Sequence, residues 1–264
     1  MRIVSLNAWG GAMYDELVAW LPGCEPDVLC LQEVTRTPGL GGWTHFADGE
    51  RTLPQRASLF ADVRTALPRH QGVFLTSDAG PVRDGDGRVH RQDFGLAVFV
   101  DERIPVVAHG STFVHGSFVD HDEWPTGDRP RIAQSLRLVD RDERRAVTVA
   151  HVHGLRDPQG KGDTPARRAQ AERLADLVAR TRAPDDLTVV CGDLNVLPDS
   201  ATFAVLAGIG LVDLVGDADT RTSRYDKPVR HADYLLVSQP DAVDGFEIVA
   251  EPEVSDHRPL VLDI

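Results

Sequence analysis

The chain has 264 residues, 42% of them hydrophobic, which is enough to bury a large core and argues against disorder. Its 28 basic and 41 acidic residues give a formal charge of −13, which disfavours tight nucleic-acid binding but leaves open a local arginine strip. No apolar run approaches the roughly 20 residues of a membrane span. Met1 leads straight into Arg2-Ile3-Val4 without a signal-like stretch, and the three cysteines (Cys24, Cys30, Cys191) lack metal-ligand spacing, so a reduced, cytoplasmic setting is expected.

Along the chain, residues 2–7 read as a strand, residues 12–21 as a helix ending at Pro22-Gly23, and residues 28–32 as a buried strand. A periodic stretch predicts a helix over 53–67, halted by Pro68, followed by strands at 72–76 and 96–100. The Gly- and Asp-rich stretches 77–89 and 114–129 read as long surface loops. Strands follow at 131–138, 146–151 and 187–191, then at 234–238 and 260–264. The clearest helix covers 164–182: Thr164 is a natural N-cap, Pro165 suits the first helical position, and Ala171, Leu174, Ala175 and Val178 share a face. A weaker helix covers 198–207. No repeat, linker or low-complexity tract divides the chain, so residues 1–264 are expected to form one α/β (α+β) domain of packed sheets with helices outside.

Polar groups stand at the ends of several apolar runs. Val28-Leu29-Cys30-Leu31 leads into Gln32-Glu33, and Val189-Val190-Cys191 leads into Gly192-Asp193-Leu194-Asn195. Asn7 ends the first strand, and Ser255-Asp256-His257 precedes the last. Each has an ordinary reading as a strand end, turn or cap. Together they supply oxygen ligands for a hard cation, an acceptor for an attacking water, and donors for phosphoryl oxygens. No Gly-rich phosphate loop with lysine, no Gly-x-Ser-x-Gly elbow and no Cys/His zinc spacing competes.

The ordered set Leu6-Asn7, Leu31-Gln32-Glu33, Gly192-Asp193-Leu194-Asn195, Asp233-Tyr234 and Ser255-Asp256-His257 resembles the endonuclease/exonuclease/phosphatase superfamily, from residue 5 to 259. The resemblance implies a four-layer α/β sandwich, two mixed β-sheets packed face to face with helices outside. It implies Mg²⁺ or Mn²⁺ held by Glu33 with Asn7 and Asp256. It also implies that Asp193 positions the water, that Asn195, His153 and His257 surround the phosphate, and that Asp233 orients His257. His151 stands where the family usually has Asn, and either reaches the cleft or is bonded within the sheet. Asp93 resembles the acid that pairs with the mid-chain histidine. Arg167 and Gln170 match a recurring structural pair.

Arg129, Arg131, Arg156 and Lys161 are the candidate phosphate-facing cations, the last two on a glycine-rich loop after His153. The expected activity is metal-assisted hydrolysis of a phosphate ester on a small molecule, by direct water attack. A nuclease is the alternative, and a non-catalytic binding module the third reading.

Overall fold

The computed structural model describes residues 1–49 and 51–264. Its strands begin with β1 (Arg2–Asn7), β2 (Val28–Arg36), β3 (Trp43–Ala47), β4 (Thr52–Arg56) and β5 (His70–Arg83). Next come β6 (Val89–Asp101), β7 (Val106–His115), β8 (Val119–Asp120), β9 (Arg131–Asp140) and β10 (Arg145–His153). The last are β11 (Leu187–Asp193), β12 (Val212–Asp213), β13 (Asp233–Val237), β14 (Gly245–Ile248) and β15 (Leu260–Asp263). The helices are α1 (Tyr14–Trp20), α2 (Leu59–Ala66), α3 (Pro165–Thr181) and α4 (Ala201–Ala207).

One sheet runs β14-β15-β1-β2-β6-β5-β3-β4, with β8 added beside β5, and the other runs β12-β13-β11-β10-β9-β7. Both are mixed: β1–β2 and β10–β11 are parallel, and most other neighbours are antiparallel. Successive residues of a strand face opposite sides, so a strand covered on both sides is apolar throughout. Ile3, Val28, Cys30 and Val98 share a core with Val147, Val189 and Cys191 of the second sheet. Their neighbours Val4, Leu29, Leu31 and Phe99 meet Leu17 of α1 and Val63 of α2 on the opposite side. Helix α3 lies on the second sheet against β7, β9 and β10, completing an α/β sandwich. The buried thiols of Cys30 and Cys191 meet between the sheets. Among the described residues, no helix is long and apolar enough to cross a membrane.

Helix α3 starts as its sequence predicts, with Thr164 Oγ1 accepting from the Arg167 amide and Pro165 opening the first turn. Two expectations need correction. The predicted helix over 53–67 forms only as α2; its first part is β4, an edge strand in which Pro54 is tolerated. Residues 77–83 are strand and not loop, because β5 and β6 form a long hairpin whose connecting turn is confined to residues 84–88. Trp124, from the 114–129 segment, covers that hairpin. Its Nε1 donates to the Pro81 carbonyl at 2.8 Å, and its ring occupies the space above Gly80, where a Cβ would sit 2.5 Å from it.

The register levels the polar strand ends. His153 pairs with Asp193 across β10–β11, and Asp193 pairs with Asp233 across β11–β13. In the facing sheet Asn7 pairs with Gln32. Gly192 makes the close approach possible: its φ is 134°, and a Cβ there would lie 2.1 Å from the Val152 carbonyl oxygen. Gly192→Ala should therefore cost about 3 kcal/mol of stability through strain and collision. A denaturant midpoint equal to that of the wild type would contradict this reading.

Candidate functional site

Strand β2 slips its pairing with β6 between Leu31 and Val34, where Glu33 sits at φ 55°. Such a bulge re-aims a side chain. Gln32 stays in the interior, donating to the Cys30 carbonyl at 3.3 Å, while Glu33 faces a cavity of about 380 Å³. The Asn7 Nδ2 donates to Glu33 Oε1 at 3.2 Å and to Asp193 Oδ2 at 3.0 Å, and its Oδ1 accepts from the Trp9 amide at 3.1 Å. The carboxamide of Asn7 thus orients two carboxylates beside the cavity.

Ser255 fastens the C-terminal motif to the same spot. Its Oγ donates to the Asn7 carbonyl at 2.7 Å and accepts from the His257 amide at 3.3 Å. His257 Nδ1 donates to Asp233 at 2.7 Å and 2.9 Å from its two oxygens, leaving Nε2 at 3.7 Å from Asp193 Oδ2. His153 Nε2 lies 3.7 Å from that oxygen and 3.8 Å from Glu33. Asn195, at φ 54°, donates its backbone amide to Asp193 Oδ1 at 3.1 Å. Asp256 accepts from Arg221 Nη1 at 2.9 Å.

The charges are unequal by design of their surroundings. Burial opposes ionisation of Asp193, but His257, His153, Arg221 and Lys161 outweigh it and hold the carboxyl well below its ordinary range. Glu33 is lowered in the same way, against burial, by His153, Arg51 and His257. Burial instead prevails at Asp256 and raises it. Burial, then Arg131, pushes His153 down to about 4, so its imidazole is neutral at neutral pH. Burial and Arg221 pull His257 down, yet Asp233 and Asp256 overcome them and raise it. Asp193 is therefore flanked by one imidazole held below the ordinary histidine range and one held above it. Burial, then Arg129, lowers Arg131 to about 10; the residue is 4% exposed, and its Nε has no hydrogen-bond partner among the described residues.

Asp193, Asp233 and His257 present ligand atoms within 4.8 Å of one another. Both Asp233 oxygens are engaged by His257, however, so this trio is better read as a hydrogen-bonded relay than as a cation cage. The carboxylates that line the cavity include Glu33, Asp193 and Asp256, a hard set without thiolate that fits Mg²⁺ or Mn²⁺.

Of the residues expected at the site, Glu33, His153, Asp193, Asn195, Asp256 and His257 line one cavity, with Asn7 and Asp233 bonded directly behind them. Arg131, Arg156 and Lys161 line it as well. Arg129 also borders it, but its guanidinium is bound in a fork by buried Asp78 at 2.7 Å and 3.0 Å and stacked on Phe94 and Trp124. Its charge is thereby paired within the protein. His151 lies outside the cavity, bonded to Gln134 at 2.9 Å. Asp93 pairs with Arg36 across the strands, not with His153.

Arg167 and Gln170 pin the loop after His153. Arg167 donates to the carbonyls of Leu155, Gly160 and Gly162, and Gln170 accepts from the Leu155 amide. Sequence reasoning missed Asp78 and Arg221, which carry no local signal because each acquires its meaning from a distant partner.

No curated protein sequence matches the chain. Among solved structures, a mannosyl-6-phosphatase of Bacteroides thetaiotaomicron aligns with a TM-score of 0.68 at 16% identity, over 100% of this chain and 98% of that one. The human Nocturnin catalytic domain, with a bound sulfate anion, aligns at 0.62 and 19% identity, over 99% and 92%. D. rerio TDP2, complexed with a single-strand DNA product, aligns at 0.64 and 15%, over 99% and 97%. At these identities the likeness speaks for the fold. The pattern of the Endonuclease/Exonuclease/phosphatase family matches residues 4–257, nearly the whole length, and the chain belongs to that family.

Proposed function

We propose that the protein is a divalent-metal-dependent hydrolase that cleaves a phosphate ester of a small molecule by direct water attack. Arg131 carries this reading. A buried guanidinium with an unpaired Nε, on the same cavity wall as His153 and facing Glu33 and Asp193, is a costly arrangement unless an anion completes it. The carboxylates across from it call for a cation, so a phosphate and a metal ion would complete each other there. Glu33 and Asp256 would hold the ion, assisted by Asp193.

When bound, a divalent cation neutralises charge on the phosphoryl oxygens and acidifies water. The side chains supply the rest. Arg131 meets the phosphate, and His257 donates from Nε2 while Asp233 keeps the ring charged and oriented. Asp193, firmly ionised, accepts a hydrogen bond from the attacking water and aims it. His153, neutral, contributes its Nε2 beside Glu33. A cavity of about 380 Å³ walled by the 154–163 loop and residues 225–229 favours a small substrate. The second reading, a nuclease, draws on Arg156, Lys161 and Lys227 at the same cavity and on the DNA product of D. rerio TDP2.

The direct test assays phosphate release from sugar phosphates and nucleotides, and strand cleavage of an oligonucleotide. Activity should vanish with chelator and return with Mg²⁺ or Mn²⁺. Undiminished turnover in excess chelator would sink the metal mechanism, and turnover of the oligonucleotide alone would favour the nuclease.

The His257 assignment predicts a pH effect. Its raised pKa keeps the donating imidazolium above the ordinary histidine range, and activity falls as pH rises through that value. Asp233→Asn removes a raising charge, so the alkaline limb of the pH–rate profile should move to lower pH. An unmoved limb would remove His257 from the role of donor.

A further inference from the structure

Gln55, on edge strand β4, is 3% exposed and lines the cavity. Its Oε1 is buried without a hydrogen-bond partner, and its Nε2 donates to no other side chain or carbonyl, among the described residues. Gln32 and Gln92 also leave Oε1 without a partner, but their Nε2 groups are engaged: Gln92 donates to Thr44 at 3.1 Å, and Gln32 to the Cys30 carbonyl at 3.3 Å. An unpaired buried amide costs about 1–3 kcal/mol, so the position is unfavourable for the protein on its own.

The side chain is also held in place. It lies over Gly10, where a Cβ would sit 2.8 Å from its Cγ, Cδ and Nε2, and Gly10 has φ 61°. Beside it, Trp9 lines the cavity at φ 50°, a backbone conformation that an L residue adopts only at a cost. Phe46 and Leu53 add apolar surface to the same wall. An aromatic platform next to a fixed carboxamide is the chemistry that recognises a ring with a donor and an acceptor side by side on its edge.

We propose that Gln55 determines substrate specificity: with Trp9, Phe46 and Leu53 it forms a subsite for the organic part of the phosphorylated substrate, a ring presenting adjacent donor and acceptor groups. This rests on the phosphoester reading above, with the phosphate at Arg131. A hexose with neighbouring hydroxyls and a nucleobase edge share this chemistry.

The test measures, by calorimetry without added divalent ion, the Kd of phenyl phosphate, a hexose 6-phosphate and a nucleoside 5′-monophosphate. The wild type should bind the hexose or the nucleoside ester about tenfold more tightly than phenyl phosphate, and the tighter of the two identifies the source. In Gln55→Leu the three affinities should converge to within about twofold, with Tm equal or higher because an unpaired buried amide is gone. Gln55→Met, which keeps the volume and flexibility, serves as the second variant. Selectivity that survives both substitutions, or a wild type that does not discriminate, would overturn the subsite. Selective binding without phosphate release when Mg²⁺ is added would count against the hydrolytic reading and leave the subsite standing.

Discussion

The carboxamide of Asn7 donates one hydrogen bond to Glu33 and one to Asp193, carboxylates that arrive on different sheets. Two like charges brought together in a buried cavity repel, and a shared donor offsets that cost while fixing their separation. The Asn7 carbonyl receives the Ser255 hydroxyl, so Asp256 and His257 hang from the same residue. Whatever alters the seating of β1 between β15 and β2 therefore disturbs the cavity from both sheets at once.

Around that joint the remaining charges are arranged mostly in pairs: Arg221 with Asp256, His257 with Asp233, and Arg129 with Asp78. Buried pairs give modest net stability, because desolvation consumes most of the attraction, but they fix geometry. Asp78 illustrates this. By engaging Arg129 under the Phe94 and Trp124 rings, it neutralises one of two neighbouring buried arginines and leaves Arg131 to face the cavity. The same logic sets the two histidines apart, since His153 lies near Arg131 while His257 is bound to a carboxylate.

Much of this was legible in the chain. Asn7, Glu33, Asp193 and His257 stand at the ends of apolar runs in a recognisable order, and the parallel ladder of β10 with β11 makes strand ends converge. The hairpin of β5 and β6 was not legible: Gly80, Pro81, Gly85 and Gly87 are turn residues by local preference, and only the cover of Trp124 turns part of that stretch into paired strand. Asp93 looked like a partner for His153 from its place before an apolar run, but cross-strand register assigns it to Arg36. Gln55 gave no signal at all, since an unpaired amide is recognisable only once its surroundings exist.

On the proposed reading, one cavity holds a phosphate at Arg131 and a divalent cation at the facing carboxylates, each favouring the other. Binding two opposite charges side by side is a linkage, and linkage is reciprocal. The most direct measurement is the Kd of inorganic phosphate by calorimetry across a series of Mg²⁺ concentrations, in the wild type and in Arg131→Met. Mg²⁺ should tighten phosphate binding in the wild type, phosphate should tighten Mg²⁺ by the same factor, and Arg131→Met should weaken phosphate about tenfold or more while leaving Mg²⁺ binding intact. Phosphate binding indifferent to Mg²⁺, or unchanged when Arg131 is replaced, would contradict the account.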